Sequence, residues 1–161
     1  MNRCWLVVLL CGLAACASKQ PLVGVSFDPL EPFPERASWR FDPTANVLPD
    51  DPRIRSLDLG PMLEQAITAE LGAHGYTPAG SQVADYVVSY ELSLTTRVRP
   101  ETSISVASLS LLLRDAKTRR RVWIAFVQTQ VDVRRSPEQR RENIRAVVAE
   151  MLANFPPPRE S

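Results

Sequence analysis

The sequence predicts a mixed α/β domain of the α+β type, with the element order ββαβββα and an antiparallel sheet of four to five strands. Two segments carry apolar residues at helical spacing, and three runs in the second half alternate as strands do. Prolines concentrate before these segments and mark the loops. We expect the two helices to pack on one face of the sheet, since amphipathic helices bury their apolar stripe against it.

The first fifteen residues have the organisation of an export signal. Arg3 supplies a positive charge, and an uncharged apolar run follows over residues 5–13, shorter than the roughly 20 residues that span a bilayer. Leu13-Ala14-Ala15-Cys16 matches a lipobox, so we expect cleavage of residues 1–15 and lipid on Cys16. The alternative is ordinary signal cleavage after Ala17, because Ala15-Cys16-Ala17 also fits the small-x-small rule.

A lipid on Cys16 predicts a membrane partner and a location. Several acyl chains give a durable anchor, because each buried methylene contributes about 0.8 kcal/mol. Ala17 follows the cysteine, whereas an aspartate there favours inner-membrane retention in enteric bacteria. The expected location is therefore the periplasmic side of the outer membrane, ahead of the inner membrane.

Processing removes both the thiols and the net charge. Cys4 and Cys11 leave with the signal and Cys16 carries lipid, so we expect no disulfide, redox motif or cysteine metal site. Loss of Arg3 leaves 18 of the 19 basic residues against 18 acidic ones, a formal charge of zero. A neutral domain gives no support to nucleic acid as a partner.

Residues 16–35 are predicted to be a proline-rich tether, in which residues 22–27 could form a short edge strand. A single domain is predicted over residues 36–155. It begins with a strand at residues 37–41, with Trp39 and Phe41 on one face. A proline- and aspartate-containing loop of about fifteen residues follows, a length typical of functional loops.

The first helix is predicted over residues 59–73. Asp58 can cap its start, Pro61 suits the first turn, and Gly75 suits a left-handed residue after the end. Its stripe consists of Leu59, Met62, Leu63, Ala66, Ile67 and Leu71. The single histidine, His74, is interpreted as a helix-end residue facing the negative end of the dipole.

Three strands are predicted next, over residues 84–94, 103–113 and 121–133. The first alternates strictly, with its apolar residues inward. The second changes phase, which predicts a bulge near Ala107-Ser108. The third is apolar on both faces. We expect Val122, Ile124 and Phe126 to face the core, leaving Trp123, Ala125 and Val127 to be covered by the N-terminal segment, the long loop or a partner.

The second helix has the clearest local signature. Ser136 is the expected N-cap, Pro137 occupies the first turn, and Gln139 completes a capping box. One apolar stripe follows, made of Ile144, Val147, Val148, Met151, Leu152 and Phe155. Residues 156–161, which begin with three prolines, are predicted to be a disordered tail.

The sequence argues against ordinary catalysis, and no cofactor is expected. It has one histidine, no Gly-x-Ser-x-Gly elbow and no glycine-rich phosphate loop. Asp50-Asp51 is interpreted as a solvated turn pair. Tyr86 and Tyr90 are interpreted as core residues rather than a stacking platform. Arg119-Arg120-Arg121 fits a solvated hairpin tip, with a lipid-phosphate patch as the alternative.

Several short motifs resemble one family of bacterial lipoproteins, the domain of unknown function 4136 family. They are the lipobox cysteine, Trp39, Gly75-Tyr76, Ala84-Asp85-Tyr86-Val87-Val88-Ser89-Tyr90, Asp115-Ala116-Lys117-Thr118 and Val122-Trp123. The resemblance spans roughly residues 22–155, and Arg119-Arg120-Arg121 departs from it where a glycine is frequent. It implies an envelope lipoprotein with an α/β fold and no assigned activity.

We therefore expect a non-catalytic binding or envelope-assembly module, with an envelope protein or a lipid as partner. The first alternative is an accessory lipoprotein in lipid or lipopolysaccharide transport, and the second is an enzyme with an unrecognised site. An apolar cavity between helices and sheet would favour lipid handling. A flat exposed apolar strip would favour a protein partner.

Overall fold

A computed structural model describes residues 22–99, 102–130 and 134–158. In chain order its elements are β1 (Leu22–Phe27), β2 (Ala37–Phe41), α1 (Pro52–Arg55), α2 (Leu59–Ala73), β3 (Tyr76–Pro78), β4 (Tyr86–Arg99), β5 (Thr102–Asp115), β6 (Arg121–Gln130) and α3 (Pro137–Leu152). The α+β class is confirmed. Residues 22–27 form the edge strand that the sequence suggested, paired with β6.

The sheet differs from the prediction in strand number and direction. It has six strands in the order β1-β6-β5-β4-β2-β3. The β1–β6, β6–β5 and β5–β4 pairs are antiparallel. Strand β2 runs parallel to both β4 and β3, so the sheet is mixed. Helix α2 lies between β2 and β3 in the chain, and a helical crossover is what allows two strands to pair in parallel. The three-residue β3 was missed because so short a segment shows no alternation.

Helix α2 has the predicted bounds but not the predicted cap. Asp58 lies in the left-handed region, at φ 51°, and its side chain makes no capping hydrogen bond, so the predicted cap is wrong. A side-chain N-cap normally has extended backbone, which aims its oxygen at the first free amides. At the other end Gly75 has φ 84°, as predicted, and a Cβ there would stand 2.7 Å from the carbonyl oxygen of Glu35.

Helix α3 confirms the predicted capping box. The backbone amide of Gln139 donates to Ser136 Oγ over 3.3 Å, and the backbone amide of Ser136 donates to Gln139 Oε1 over 3.0 Å. Its stripe buries Val148, Met151 and Leu152. Phe155 is buried beyond the helix end. Pro157 is also buried, so the packed part of the chain extends past the predicted start of the tail.

The register of the sheet decides which face of β6 is the core. Leu109, Leu111 and Leu113 of β5 stand opposite Val127, Ala125 and Trp123. All six side chains are buried and belong to the same core cluster as the α2 and α3 stripes. The predicted orientation of β6 is therefore wrong for Ile124 and Phe126, whereas Val122, at the irregularity of the β5–β6 pairing, is buried in the core as predicted. Phe126, which was expected to point inward, lies on the outer face and is 47% exposed.

The phase change in β5 needs no bulge where one was predicted. Pairing with β4 and β6 runs without interruption through Ala107 and Ser108, and the irregularity lies between Leu113 and Arg114. Ala107 occupies the core position that the alternation requires, and Val106 stands on the opposite side. The sequence did not reveal this alternation, because the core residue Ala107 is smaller and less apolar than the outward-facing Val106.

Candidate apolar binding cleft

An apolar cleft of about 110 Å³ opens between the two long helices and one end of the sheet. Its floor comes from the core face of the three central strands, and its walls come from α2, α3 and the segment around α1. The apolar lining consists of Ile54, Leu57, Leu59, Leu63, Leu92, Leu94, Ala107, Leu109, Val127, Ile144 and Val147. Both predicted helix stripes therefore contribute side chains to the wall of a cleft that the core side chains do not completely fill.

The position of Ala107 gives a physical reason for the cleft. Leu94 of β4 pairs with Ala107, and the other core positions of β5, Leu109, Leu111 and Leu113, are leucines. An alanine at this level leaves room that a leucine side chain would fill. Leu59, Ile144 and Val147, at the start of α2 and the middle of α3, are only partly buried, which agrees with an open space beneath them.

The mouth of the cleft is polar. It is lined by Thr129, Gln130, Arg135, Arg140 and Asn143. Nη1 of Arg140 donates to the carbonyl oxygen of Arg135, just before α3. Nε of Arg140 is buried and has no hydrogen-bond partner among the described residues. A buried donor without a partner is uncommon in folded proteins and calls for an acceptor.

Tyr86 and Tyr90 are buried on the core face, as interpreted from the sequence. The Tyr86 hydroxyl donates to Glu31 Oε1 over 2.8 Å, and the Tyr90 hydroxyl donates to Glu64 Oε1 over 3.2 Å. Burial, followed by the nearby Glu64 charge, raises the pKa of Tyr90 to about 12. Burial and Glu31 raise the pKa of Tyr86 further. Both phenols thus remain protonated donors at neutral pH and do not act as nucleophiles there.

His74 and the acidic residues form no catalytic arrangement that the described residues reveal. The His74 amide closes the end of α2 by donating to the carbonyls of Glu70 and Leu71, and its ring stands edge-on to Phe155 at 6.1 Å between centroids. Asp50 lies 3.4 Å from Arg55 on the surface. Within residues 22–99, 102–130 and 134–158, no group of three histidine or acidic side chains could hold a metal ion.

The arginine triplet spans the end of the β5–β6 turn and the first residue of β6, at the opposite end of the sheet from the cleft. Arg119 adopts φ 61°, and Arg120 donates to Asp28 Oδ2 over 2.7 Å, which ties the turn to the end of β1. All three side chains are exposed. The triplet therefore resembles the solvated hairpin tip predicted from the sequence.

Two candidate sites predicted from the sequence, the lipidated cysteine and one face of β6, lie entirely or mostly outside the cleft. Cys16 lies outside the described residues. The Trp123, Ala125 and Val127 face is within the core, where only Val127 reaches the cleft lining. Among the described residues, no helix has the length and apolarity needed to cross a membrane.

The fold and cleft define a class of protein: an α+β domain with two helices on one face of a mixed sheet and an apolar surface between them. The chain belongs to the family described as domain of unknown function (DUF4136), whose model matches residues 23–157. This confirms the family indicated by the sequence motifs. Among curated proteins, none matches the sequence.

Solved structures share the fold at low sequence identity. The PelC dodecamer from Paraburkholderia phytofirmans is 17% identical, with a TM-score of 0.54 over 83% of this chain and 96% of that one. A PDZ domain protein from Parabacteroides distasonis is 14% identical, with a TM-score of 0.55 over 88% of this chain and 37% of that one. Lipoprotein GNA1162 from Neisseria meningitidis is a weaker match, 17% identical at a TM-score of 0.43 over 73% of this chain and 99% of that one. The similarities to PelC and to the PDZ domain protein show the fold, and the fold alone.

Proposed function

We propose that this protein is a lipid-anchored, non-catalytic binding module of the bacterial cell envelope, and that the cleft beneath α2 and α3 is its binding site. The observation that carries the proposal is the apolar lining of that cleft, which lies between helices and sheet. Clefts of this kind are common ligand sites in small domains. An apolar occupant gains free energy by leaving water there.

The chemistry of the cleft favours binding over catalysis. Its floor and walls are aliphatic, so they can exclude water but transfer no proton. At the mouth, the guanidinium groups of Arg135 and Arg140 offer N–H donors and no acceptor. Asn143, Gln130 and Thr129 add neutral hydrogen-bonding groups. This set suits recognition of an apolar group that carries an anion or a polar end.

The volume of the cleft limits what can enter. Sites for drug-sized ligands occupy roughly 300–1,000 Å³, and an engineered apolar cavity of about 150 Å³ holds benzene. The 110 Å³ here suits the last few carbons of an acyl chain or one apolar side chain of a partner. An accessory role in lipid or lipopolysaccharide movement would thus involve contact with one chain rather than enclosure of a whole lipid.

The anchor is tested by replacing the lipobox cysteine. Cys16→Ala should abolish incorporation of labelled palmitate and stop lipoprotein-type processing, because the thiol that carries the diacylglycerol is gone. Cys11→Ala, within the apolar run of the signal, is the matched control and should be labelled normally. Palmitate on the Cys16→Ala protein would show the lipobox interpretation to be wrong. Fractionation of outer and inner membranes from the same cells tests the proposed location.

The cleft is tested with a lipid that reports its position. The purified lipidated protein is reconstituted into phosphatidylcholine vesicles containing a trace of phosphatidylcholine with a diazirine at the end of one acyl chain. After illumination, mass spectrometry should place crosslinks on cleft residues such as Leu94 and Ile144. Ala107→Leu should remove these crosslinks by filling the floor, while Ala73→Leu, exposed on α2, should retain them. Crosslinks confined to residues outside the cleft would contradict the proposal.

Self-assembly is a second candidate, favoured by the open edge of β1. Within the described part of the chain this strand pairs only with β6, and its sequence LVGVSF holds no lysine or proline to block a further strand. Leu22, Val25 and Phe27 are exposed by 81%, 41% and 42%. PelC, which shares the fold, is described as a dodecamer. Val25→Lys should reduce any oligomer seen by native mass spectrometry, with Gln128→Lys on the neighbouring strand as control.

A further inference from the structure

The cleft and the N-terminal end of the described chain lie at the same end of the sheet. Leu22, the first residue of β1, stands opposite Gln128 of β6. Val127, Thr129 and Gln130, which surround that position on β6, line the cleft and its mouth. The chain therefore enters the domain from the side on which the cleft opens.

Chain length sets how far this end can stand from the proposed anchor. Six residue steps separate Cys16 from Leu22. A fully extended chain spans at most about 3.6 Å per residue, so the tether reaches roughly 20 Å. An anchored domain must keep the start of β1 within that distance of the membrane. The β5–β6 turn, at the opposite end of the strands, then points away.

The long β4–β5 hairpin extends from the same end. Gln130, the last β6 residue that the structure describes, pairs with Val106, and pairing between β4 and β5 continues beyond that level to Arg99 and Thr102. The backbone of this hairpin therefore projects past the cleft mouth, on the side where the tether places the membrane.

We infer that the cleft mouth docks on the anionic phospholipid surface of the anchoring membrane, with lipid phosphates at Arg135 and Arg140 and the end of one splayed acyl chain, supplied by a neighbouring lipid, in the cleft. The inference rests on the proposed function, to which it adds the ligand class and the orientation. Arginine binds phosphate through several N–H groups, and the side chains of Arg135 and Arg140 both line the mouth. Only the last carbons of a chain fit the 110 Å³ volume, so the chain enters end first.

The test compares head groups at a constant chain. The lipidated protein is reconstituted into vesicles of phosphatidylcholine alone or of equal parts phosphatidylcholine and phosphatidylglycerol. Each preparation contains a trace of its lipid with a diazirine at the chain end. Phosphatidylglycerol should give more crosslinks to Leu94 and Ile144, by roughly fivefold for each arginine that contacts the anionic surface. High salt should lower this preference, because it screens exposed charges.

Two sets of variants assign the preference to the mouth. Arg135→Gln combined with Arg140→Gln should abolish the preference for phosphatidylglycerol, whereas Arg141→Gln combined with Arg145→Gln should keep it, since both control residues are exposed on α3 outside the cleft lining. If the double variant fails to fold, Arg135→Gln alone replaces it, because this change keeps the hydrogen bond from Arg140 Nη1 to the backbone carbonyl of residue 135. The single variant should halve the preference for phosphatidylglycerol on a logarithmic scale.

The outcomes distinguish failure of the head-group assignment from failure of the proposed binding function. Equal cleft labelling with both lipids overturns the head-group assignment and leaves the binding module standing. Labels absent from the cleft in both vesicles overturn the proposed function as well.

Discussion

The aromatic ring of Phe126 lies over the backbone of Gly24 on the outer face of the sheet. The two residues are partners in the β1–β6 pair, and a Cβ on Gly24 would stand 2.7 Å from both Cδ1 and Cζ of the ring, with Cε1 closer still. The ring thus occupies the space above the edge-strand glycine. An aromatic side chain across a glycine is a known way to stabilise a strand that lacks a side chain of its own.

Gly24→Ala should therefore destabilise the domain by about 1 kcal/mol, because the added methyl displaces the Phe126 ring. Urea unfolding followed by circular dichroism measures this change. In a Phe126→Ala background the same Gly24→Ala substitution should cost less, since no ring remains to be displaced. Equal costs in the two backgrounds would show that the ring contact does not constrain the glycine.

Leu152→Ala should cost about 2–5 kcal/mol of unfolding free energy. Leu152 is fully buried at the end of α3, and its truncation leaves a cavity in the core. Arg141→Ala, on the exposed face of the same helix, should cost well under 1 kcal/mol. The midpoints of urea unfolding should differ clearly, and similar midpoints for both variants would contradict the orientation of α3.

Asp85→Asn should lower stability at neutral pH, and the loss should shrink in acid. Asp85 Oδ2 accepts from the amide of Ser38 over 2.8 Å and from its hydroxyl over 2.7 Å. The backbone hydrogen bond, followed by the hydroxyl, lowers the pKa of Asp85 from 3.8. The carboxylate therefore stabilises the fold above its unfolded pKa, and this contribution disappears as pH falls through the lower folded pKa.

The control for this prediction is Asp50→Asn. Asp50 forms a surface ion pair with Arg55, and such pairs contribute about 0–1 kcal/mol. Unfolding free energies of the three proteins between neutral and acid pH provide the measurement. A penalty for Asp85→Asn that stayed constant down to about pH 2 would show that the charge is not responsible.

Tyr90→Phe should reduce the loss of stability in alkali. The pKa of Tyr90 rises to about 12 through burial and the adjacent Glu64, whereas an unfolded tyrosine titrates near 10. The wild-type contribution is complete below the unfolded pKa and is lost as pH rises from about 10 to about 12. Urea midpoints across this range should fall more steeply for the wild type, and identical slopes would argue against the shift.

Local sequence signals predicted both long helices well. The bounds of α2 and the capping box at Ser136 follow from neighbouring residues, because a helix closes its hydrogen bonds within a few positions of the chain. Asp58 is the exception. Its residue type suited a cap, but its left-handed backbone, which the surrounding fold determines, aims the carboxylate elsewhere.

The α+β class, the two helices, the three long strands and the family follow from the amino-acid sequence, since they depend on short-range periodicity and local motifs. The parallel pairs of β2, the core face of β6 and the cleft above Ala107 depend instead on contacts between segments that are distant in the chain. Both faces of β6 are apolar, so a period of two could not select between Trp123 and Phe126. The choice came from pairing with β5, a contact between strands whose register no local pattern specifies.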